Sequence, residues 1–403
     1  MKTEKTNTRG PLAILHVVPS VAPVYGGPSK AALEMAGALA RRGHRVSIYC
    51  TNSGGTVPPD VPLGIPIAYD GFTITYFPRH LPISYSPSLP LARALWRDVA
   101  RFDAVHIHGI YQFAVVAAAL AARAHGVPYL TRPHGALDPY LRQRHRLRKA
   151  LYFPLIERPL FNRAAAIIYS ADEEQRLAAP TGLVAQPSIV PEGVRLTEYS
   201  VLPSPSLFLS HYPELAGRRL LLFLSRLHQK KGLDLLAAAF PLILAATPDV
   251  HLVIAGPDDG YEASLRYLLQ QNGTIDKVTF TGMVQGELKL ALLTAAEIFV
   301  LPSYTENFGI AVVEALAAGL PAVISDQINI AGIIQEHDAA VVVPCAAERL
   351  AAAVIDLLQH PERRAALARN GPQLVREQFT WDTAAQRLEA LYRQIIAQRR
   401  SQL

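Results

Sequence analysis

Apolar runs of strand length alternate with helix-length segments along most of this chain, from Leu12 to about Pro191 and again from Arg219 to about Ala346. That rhythm predicts parallel sheets with helices on both faces, because two parallel strands need a crossover long enough to hold a helix. Between the two stretches lies a segment rich in Pro and Ser with no sustained period, read here as a connection between domains. A length of 403 residues suits two domains, and half of the residues are apolar, enough for two cores. The expected organisation is a disordered polar tail over 1–10, an α/β domain over 11–191, a connection over 192–217, a second α/β domain over 218–380 and a C-terminal helix over 381–403. The last segments, Pro361 to Glu377 and Thr383 to Arg399, read as helical with a break at Gly371 and Pro372.

Two segments carry most of the chemistry. In SRLHQKKG, Ser225 to Gly232, the apolar run from Leu220 has strand length, so Arg226 leaves the carboxyl edge of a sheet, where open α/β folds place ligands. Lys231 and Gly232 enter the next helix, whose amino end favours anions. An Arg fork with a Lys point charge suits a diphosphate, although the octapeptide alone also fits a solvated basic turn.

In PSYTENFGIAVVEALAAGLP, Pro302 to Pro321, the strand ends at Leu301 and the run from Phe308 to Ala318 is helical. Glu314 then lies roughly 9–12 Å along from the helix start. It is too far from Glu306 for the hydrolytic carboxylate pair that retaining glycosidases hold at about 5–5.5 Å. The two can instead hydrogen-bond opposite ends of one long ligand while N–H groups near Asn307, Phe308 and Gly309 face its phosphates. The plainer alternative makes Glu306 a helix-start acid and Glu314 a surface residue, yet Glu314 is surrounded by Ala311, Val312, Val313, Ala315 and Leu316. A doubly charged ligand with hydroxyls at both ends fits all four residues, and a nucleotide-sugar is such a ligand.

On these residues the chain resembles the family-4 (group 1) retaining glycosyltransferases of the GT-B fold, two Rossmann-like parallel-sheet domains facing a central cleft. The family's Glu, seven residues, Glu pattern is met by Glu306 and Glu314, and its Arg–Lys diphosphate pair by Arg226 and Lys231; matching stretches run from about Leu12 to about Asp382. The resemblance implies that Glu306 lies against the donor sugar and Glu314 holds the ribose. It further implies transfer of a hexosyl group from a UDP- or GDP-linked sugar to a saccharide or lipid-linked saccharide, as in polysaccharide or glycolipid biosynthesis. Readings kept beside it are a nucleotide-sugar epimerase of the same fold and a non-catalytic nucleotide-sugar-binding module. Where the family often has Asn-Gly this chain has Glu192-Gly193, so Glu192 receives no ligand role.

In the amino half, an apolar strand ending at Ser20 leads to Gly26 and Gly27, then Pro28 and an alanine-rich helix to about Arg42. The family places a glycine-rich loop here, and glycines let backbone N–H groups come close to a phosphate or sugar; an ordinary tight turn fits the four residues equally. His134 follows the strand and exit VPYLTRP, and the family's His at this point contacts the donor sugar; Asp138 is a weaker neighbour. His44 reads as structural. His106 and His108 share a strand face, a spacing that could hold a metal, but no third ligand is evident and no Asp-x-Asp motif occurs. The expectation is no catalytic metal and no cofactor, the nucleotide-sugar being a substrate, with His108 on the acceptor side. GPDDG, Gly256 to Gly260, borders the donor site or starts the next helix, and the base is expected near Gly282 and Met283.

Composition narrows the partners. The net charge of +6 gathers most strongly in LRQRHRLRK, Leu141 to Lys149, which carries no interleaved aromatics and so does not suggest nucleic acid. The segment reads either as a solvated basic helix or as a contact with an anionic membrane or lipid diphosphate. Two cysteines, Cys50 and Cys345, make a disulfide framework improbable and a reducing compartment the default. With no uninterrupted apolar run of about 18 residues, a spanning helix is not expected, and the chain is placed in the cytoplasm, peripheral at the inner membrane face. The YGGPS turn lacks the GxGxxG fingerprint, which argues against a nicotinamide-dependent oxidoreductase.

Overall fold

The computed structural model describes residues 10–55, 59–82, 84–139 and 151–401. It divides into two compact units, one reaching Glu192 and including the chain from Trp381 onward, the other Gly193–Thr380. The basic run 141–149 lies outside the described residues.

The first unit holds eight strands: β1 (Ala13–Val18), β2 (Arg45–Thr51), β3 (Pro66–Tyr69), β4 (Phe72–Phe77), β5 (Ala104–His108), β6 (Tyr129–Arg132), β7 (Ala166–Tyr169) and β8 (Pro187–Ile189). Their order is β3-β4-β2-β1-β5-β6-β7-β8, parallel apart from the β3–β4 hairpin. Asp70 and Gly71, both at positive φ, close that hairpin as a two-residue Asp-Gly turn should. Strand β1 is buried throughout, as a central parallel strand covered on both faces must be, which is why it reads as an apolar run interrupted only by His16. The chain order reverses between β1 and β5, and the carboxyl ends of these two strands are where such a sheet binds ligands.

The helix Trp381–Ser401 packs on the helix Gly27–Arg41 of this unit. Its stripe of Leu388, Leu391, Tyr392 and Ile395 joins the core formed by Met35, Leu39 and Ile14. Glu389 fixes the register of the pair by accepting from Arg42 at 2.8 Å.

The second unit carries β9 (Arg219–Leu224), β10 (Val250–Ala255), β11 (Val278–Gly282), β12 (Ile298–Leu301), β13 (Ala322–Ser325) and β14 (Val341–Val343), ordered β11-β10-β9-β12-β13-β14. All the pairings are parallel, and the order reverses between β9 and β12.

Two sequence expectations need correction. The stretch 192–217 is not simply a connection: from Gly193 it belongs to the second unit, and it contains a helix, Pro205–His211, packed on the helix Gly286–Ala295. The Ser-Pro pair that looked like loop is a helix start, with the Ser204 side chain accepting from Ser206 N–H and Pro205 in the first turn. The expected break at Gly371 and Pro372 is also absent, because one helix runs through them from Pro361 to Gln378. A Cβ on Gly371 would lie 3.1 Å from Leu316 O, so the glycine serves close packing on the helix Ile310–Ala317. Proline removes one backbone hydrogen bond of a helix that this contact holds in place.

Candidate functional site

In the second unit the expected residues gather at the carboxyl ends of β9 and β12. Arg226 follows β9 and is exposed, with Nη1 donating to Asp259 Oδ2 at 2.6 Å. Next comes a short 3-10 turn, Gln229–Lys231, in which His228 Nδ1 accepts from Lys230 N–H at 3.0 Å. Lys231 therefore ends this turn, and the α-helix begins only at Leu233. Gly232 makes the arrangement possible: its φ is 67°, and a Cβ there would stand 1.9 Å from Pro302 O. Any other residue would push the lysine turn off the β12 exit, to which Tyr304 N–H also ties it through Lys230 O at 2.8 Å.

The β12 exit places Glu306 within an ion pair of the Lys231 ammonium, which is nearly buried. The Glu306 backbone is fixed as well, its N–H donating to Gln327 O at 3.2 Å and its C=O accepting from Asn329 N–H at 3.0 Å. Asn307, Phe308 and Gly309 form the turn before the helix, which starts at Ile310 rather than at Phe308. Gly309 is the N-cap at φ 78°, and the Phe308 ring is buried edge-on against Phe379.

Glu314 is buried on that helix, so its surface reading fails, and its Oε1 accepts from Lys289 Nζ at 2.9 Å. Sequence reasoning missed Lys289; the available signal was one lysine in the apolar run LKLALL. The GPDDG pair splits both expectations between its acids. Asp258 Oδ1 accepts the N–H groups of Gly260, Tyr261 and Glu262 and so starts a helix, and these bonds hold its carboxyl below the ordinary range. Asp259 is the partner of Arg226. A Cβ on Gly256 would lie 1.9 Å from Ser225 O, so the glycine brings this loop against the Arg226 backbone. Gly256 N–H donates to Gly282 O at 2.8 Å, and Met283 beyond it is exposed.

The first unit carries a cavity of about 260 Å³ at the β1 and β5 carboxyl ends. Val18, Pro19 and Pro28 line it together with Ser20, Tyr25, Gln112 and His134, so that hydroxyl, amide and imidazole groups are set in a largely apolar wall. Gly26 and Gly27 lie between lining residues Tyr25 and Pro28; Gly26 sits at φ 71°, and nothing stands within 4 Å of a Cβ built on either. The loop therefore leaves open space beside its backbone.

His134 occupies a left-handed turn, with φ 52° at His134 and 75° at Gly135. Glu174, which sequence reasoning also missed, clamps this costly conformation: Oε1 accepts Gly135 N–H at 2.6 Å and Oε2 accepts Ser170 N–H at 2.7 Å. The His134 ring does not project freely into the cavity. Its Nε2 lies 3.0 Å from His108 Nδ1, and its Nδ1 faces Glu192 Oε1 at 3.6 Å. Glu192, given no role from sequence, is thus beside the expected histidine. Burial opposes its ionisation, but His134 and the Arg132 guanidinium outweigh that and hold its carboxyl below the usual range.

The missing third partner of His106 and His108 is His16 on β1, and one nitrogen from each of the three lies within 4.8 Å of the others. Their rings are nearly parallel, 13° between His106 and His108 and 25° between His16 and His108. A tetrahedral ion needs lone pairs converging on one point about 2.0–2.1 Å from each nitrogen. Parallel rings do not converge, and His16 Nδ1 stands instead at hydrogen-bond length, 2.9 Å, from His108 Nε2. His44 is structural as expected, accepting Leu12 N–H at 3.1 Å. Cys50 and Cys345 are free thiols.

The first unit thus carries a cavity and the second a charged site, each at the switch point of its own sheet, and comparison with known proteins identifies the class. Residues 26–193 match the glycosyl transferase 4-like domain and residues 211–374 match glycosyl transferases group 1, together most of the chain. The phosphatidyl-myo-inositol mannosyltransferase of Mycolicibacterium smegmatis is 27% identical over 92% of this chain and 90% of its own. The GDP-mannose:cellobiosyl-diphosphopolyprenol alpha-mannosyltransferase of Xanthomonas oryzae pv. oryzae is 27% identical over 78% of this chain and 79% of its own. Among solved structures, Anabaena HepE in complex with UDP superposes with a TM-score of 0.74 at 20% identity, covering 97% of this chain and all of that one (100%). Sucrose-phosphate synthase of Thermosynechococcus elongatus gives a TM-score of 0.72 at 21% identity, over 96% and 100%. The chain belongs to the group 1, family-4 glycosyltransferases and has their GT-B fold. It is a hexosyltransferase that uses a nucleotide-sugar donor. Among the described residues no helix is long and apolar enough to cross a membrane.

Proposed function

We propose that this chain transfers mannose from GDP-mannose to a lipid-linked acceptor, with retention of anomeric configuration. The observation that carries the donor site is the meeting of Arg226, Lys231 and Glu306 at the β9–β12 switch point, with Glu314 buried one helix further on. The donor identity and the acceptor class are supported by the relatives, among them enzymes named for GDP-mannose and for phosphatidylinositol or diphosphopolyprenol acceptors.

In this reading Arg226 and Lys231 take the diphosphate, backbone N–H groups of Asn307, Phe308 and Gly309 face its oxygens, Glu306 orients the sugar and Glu314 takes the ribose hydroxyls. The bond from the anomeric carbon to the diphosphate oxygen breaks, and a bond to the acceptor oxygen forms on the same face. The acceptor proton passes to the departing diphosphate. Charge grows on that diphosphate as the sugar becomes oxocarbenium-like, and cations fixed in place stabilise it without reorganising. The charge is assigned to Arg226 and Lys231 rather than to a metal ion. The cavity by His134, Gly26 and Gly27, with hydroxyl and amide groups set among apolar ones, takes the acceptor's saccharide or polyol part. A lipid-linked acceptor implies work at a bilayer surface on the cytoplasmic side, with 141–149 as the anionic-membrane contact.

The test incubates purified protein with radiolabelled GDP-mannose, UDP-glucose or UDP-galactose and either phosphatidylinositol or a polyprenyl-diphosphate saccharide, in the presence of chelator. Label passing from GDP-mannose into lipid as an α-mannoside supports the reading. Transfer only from a UDP-sugar, or only after one divalent ion is restored, contradicts its donor or its metal-free site.

A further inference from the structure

Glu157 is a wholly buried carboxyl of the first unit that has no part in the transfer chemistry. It ends the π-helical turn Phe153–Glu157, whose closing bond runs from Arg158 N–H to Phe153 O. Turns of this kind interrupt the regular helix ladder and recur at functional sites, so where this one delivers a side chain is informative. Glu157 Oε1 accepts Tyr111 N–H at 2.6 Å. Tyr111 lies in the loop after β5 at φ 61°, a left-handed conformation that a non-glycine residue holds only when its surroundings fix it. The same helical segment also packs on the Tyr111 ring, whose centroid is 6.0 Å from that of Tyr152 and 6.3 Å from that of Phe153.

The loop needs an acceptor at this point and not a charge. Glu157 Oε2 is buried and meets no hydrogen-bond donor among the described residues, so nothing there favours a second negative oxygen. Burial pushes the carboxyl up to about 8, against the opposing pull of Tyr111 N–H. At neutral pH an uncharged acid therefore holds the loop through its carbonyl oxygen, and a glutamine would offer the same acceptor in the same place.

What the clamp sets in place is the next residue, Gln112, on the cavity wall. Gln112 Nε2 donates to Ser84 O at 3.0 Å, and Phe113 N–H donates to Tyr85 O at 3.0 Å, which ties the loop to a segment whose Ser84 and Ser86 line the same cavity. Because a backbone carbonyl can only accept, the Ser84 bond fixes which end of the amide is nitrogen. The amide oxygen is left without a donor among the described residues, ready to accept from a ligand hydroxyl. We infer, on the reading of this cavity as the acceptor site, that Gln112 is a specificity-determining residue whose amide oxygen accepts a hydroxyl of the acceptor, and that Glu157 is a positioning residue acting on it through Tyr111. The plainer alternative makes Glu157 a prop for the fold alone, in which case its loss and the loss of Gln112 would act independently.

The experiment is a double-mutant cycle on the full chain. Transfer from GDP-mannose is measured against varied phosphatidylinositol or polyprenyl-diphosphate saccharide, binding of myo-inositol and cellobiose is followed by NMR, and GDP affinity is measured by calorimetry. Gln112→Leu should raise the acceptor KM by about three- to tenfold, the loss of one hydrogen bond, while GDP affinity stays unchanged. Glu157→Leu should raise it to a similar extent, and the double variant no further, because the two act as one unit. Glu157→Gln should restore the wild-type KM, and hydrogen exchange at the Tyr111 amide should be slow in wild type and Glu157→Gln and fast in Glu157→Leu. Multiplying losses in the double variant, a Glu157→Gln as impaired as Glu157→Leu, or a rapidly exchanging Tyr111 amide in wild type would overturn the inference. If Glu157→Leu does not fold, Gln112→Leu and Glu157→Gln still decide: a raised KM in the first and none in the second is expected, and the reverse contradicts it.

The polyol titrations separate this inference from the proposed function. A wild-type protein that binds either polyol in a manner dependent on Gln112 but transfers to neither lipid would count against the proposed function alone. Transfer with an acceptor KM indifferent to Gln112→Leu would count against the role of Gln112 alone, and neither transfer nor polyol binding would overturn both.

Discussion

Lys289 Nζ donates to Glu314 Oε1 at 2.9 Å, with 18% of the lysine side chain and 8% of the glutamate side chain exposed. A carboxylate so placed is unlike a surface helix residue. Removing one member of a buried pair leaves the other charge unmatched, at a cost of about 3–5 kcal/mol. Lys289→Met is therefore expected to destabilise the second unit by about 3 kcal/mol, the lower end because the lysine keeps some solvent. Denaturant unfolding checks this, and wild-type stability in the variant would show that the pair is not the structural prop for Glu314.

Arg226 is held by Asp259 at 2.6 Å while remaining more than half exposed. A diphosphate must compete with that carboxylate. Since exposed pairs are worth about 0.2–1 kcal/mol, Asp259→Asn should tighten donor binding by about 1.4- to fivefold. A titration of GDP against both proteins reads the change. Weaker binding in the variant would mean that Asp259 orients the guanidinium rather than competing for it.

Lys231 and Glu306 form the least exposed ion pair of the donor site after Lys289 and Glu314. Glu306→Gln retains the shape and removes the charge. It is expected to lower kcat by about 100-fold while donor affinity changes much less, as for a group that acts mainly in the transition state. Lost donor affinity with unchanged turnover would place Glu306 in ground-state binding.

Glu389 anchors the last helix to Arg42 and pairs within that helix with Arg393. Burial works against its charge, but the bonds from Arg393 and Arg42 prevail and lower its pKa from 4.5 to about 2. A depressed acid contributes stability above its unfolded value and loses that contribution as pH falls through the folded one. The stability difference between wild type and Glu389→Gln should be constant above about pH 5 and shrink between about pH 4.5 and 2. Unfolding curves across that range check it, and a difference that grows on acidification would contradict the sign.

Much of the architecture was legible because central parallel strands such as β1 and β9 are apolar apart from His16 and the leading Arg219. Where the reading erred, local signals pointed one way and packing another. Ser204-Pro205 could be loop or helix start, and Gly371-Pro372 could break a helix or let it lie close to Leu316. The four residues proposed for the donor site in the second unit were singled out from their charge and their places after a strand or inside an apolar helix. Of their partners, Asp259 lay in the GPDDG segment read as bordering the donor site, whereas Lys289 was not singled out, since it comes from another element and only the sheet order brings it in. His16 and Glu192 were invisible for the same reason, being distant in sequence from His108 and His134.

The most direct measurement is calorimetric titration of GDP-mannose and GDP into wild-type protein and into Lys231→Ala and Arg226→Ala variants. Saturable binding to the wild type, lost or much weakened in both variants while their folds persist, is the predicted result. Undiminished binding in the variants, or none to the wild type by either ligand, would contradict a donor diphosphate site built from Arg226 and Lys231.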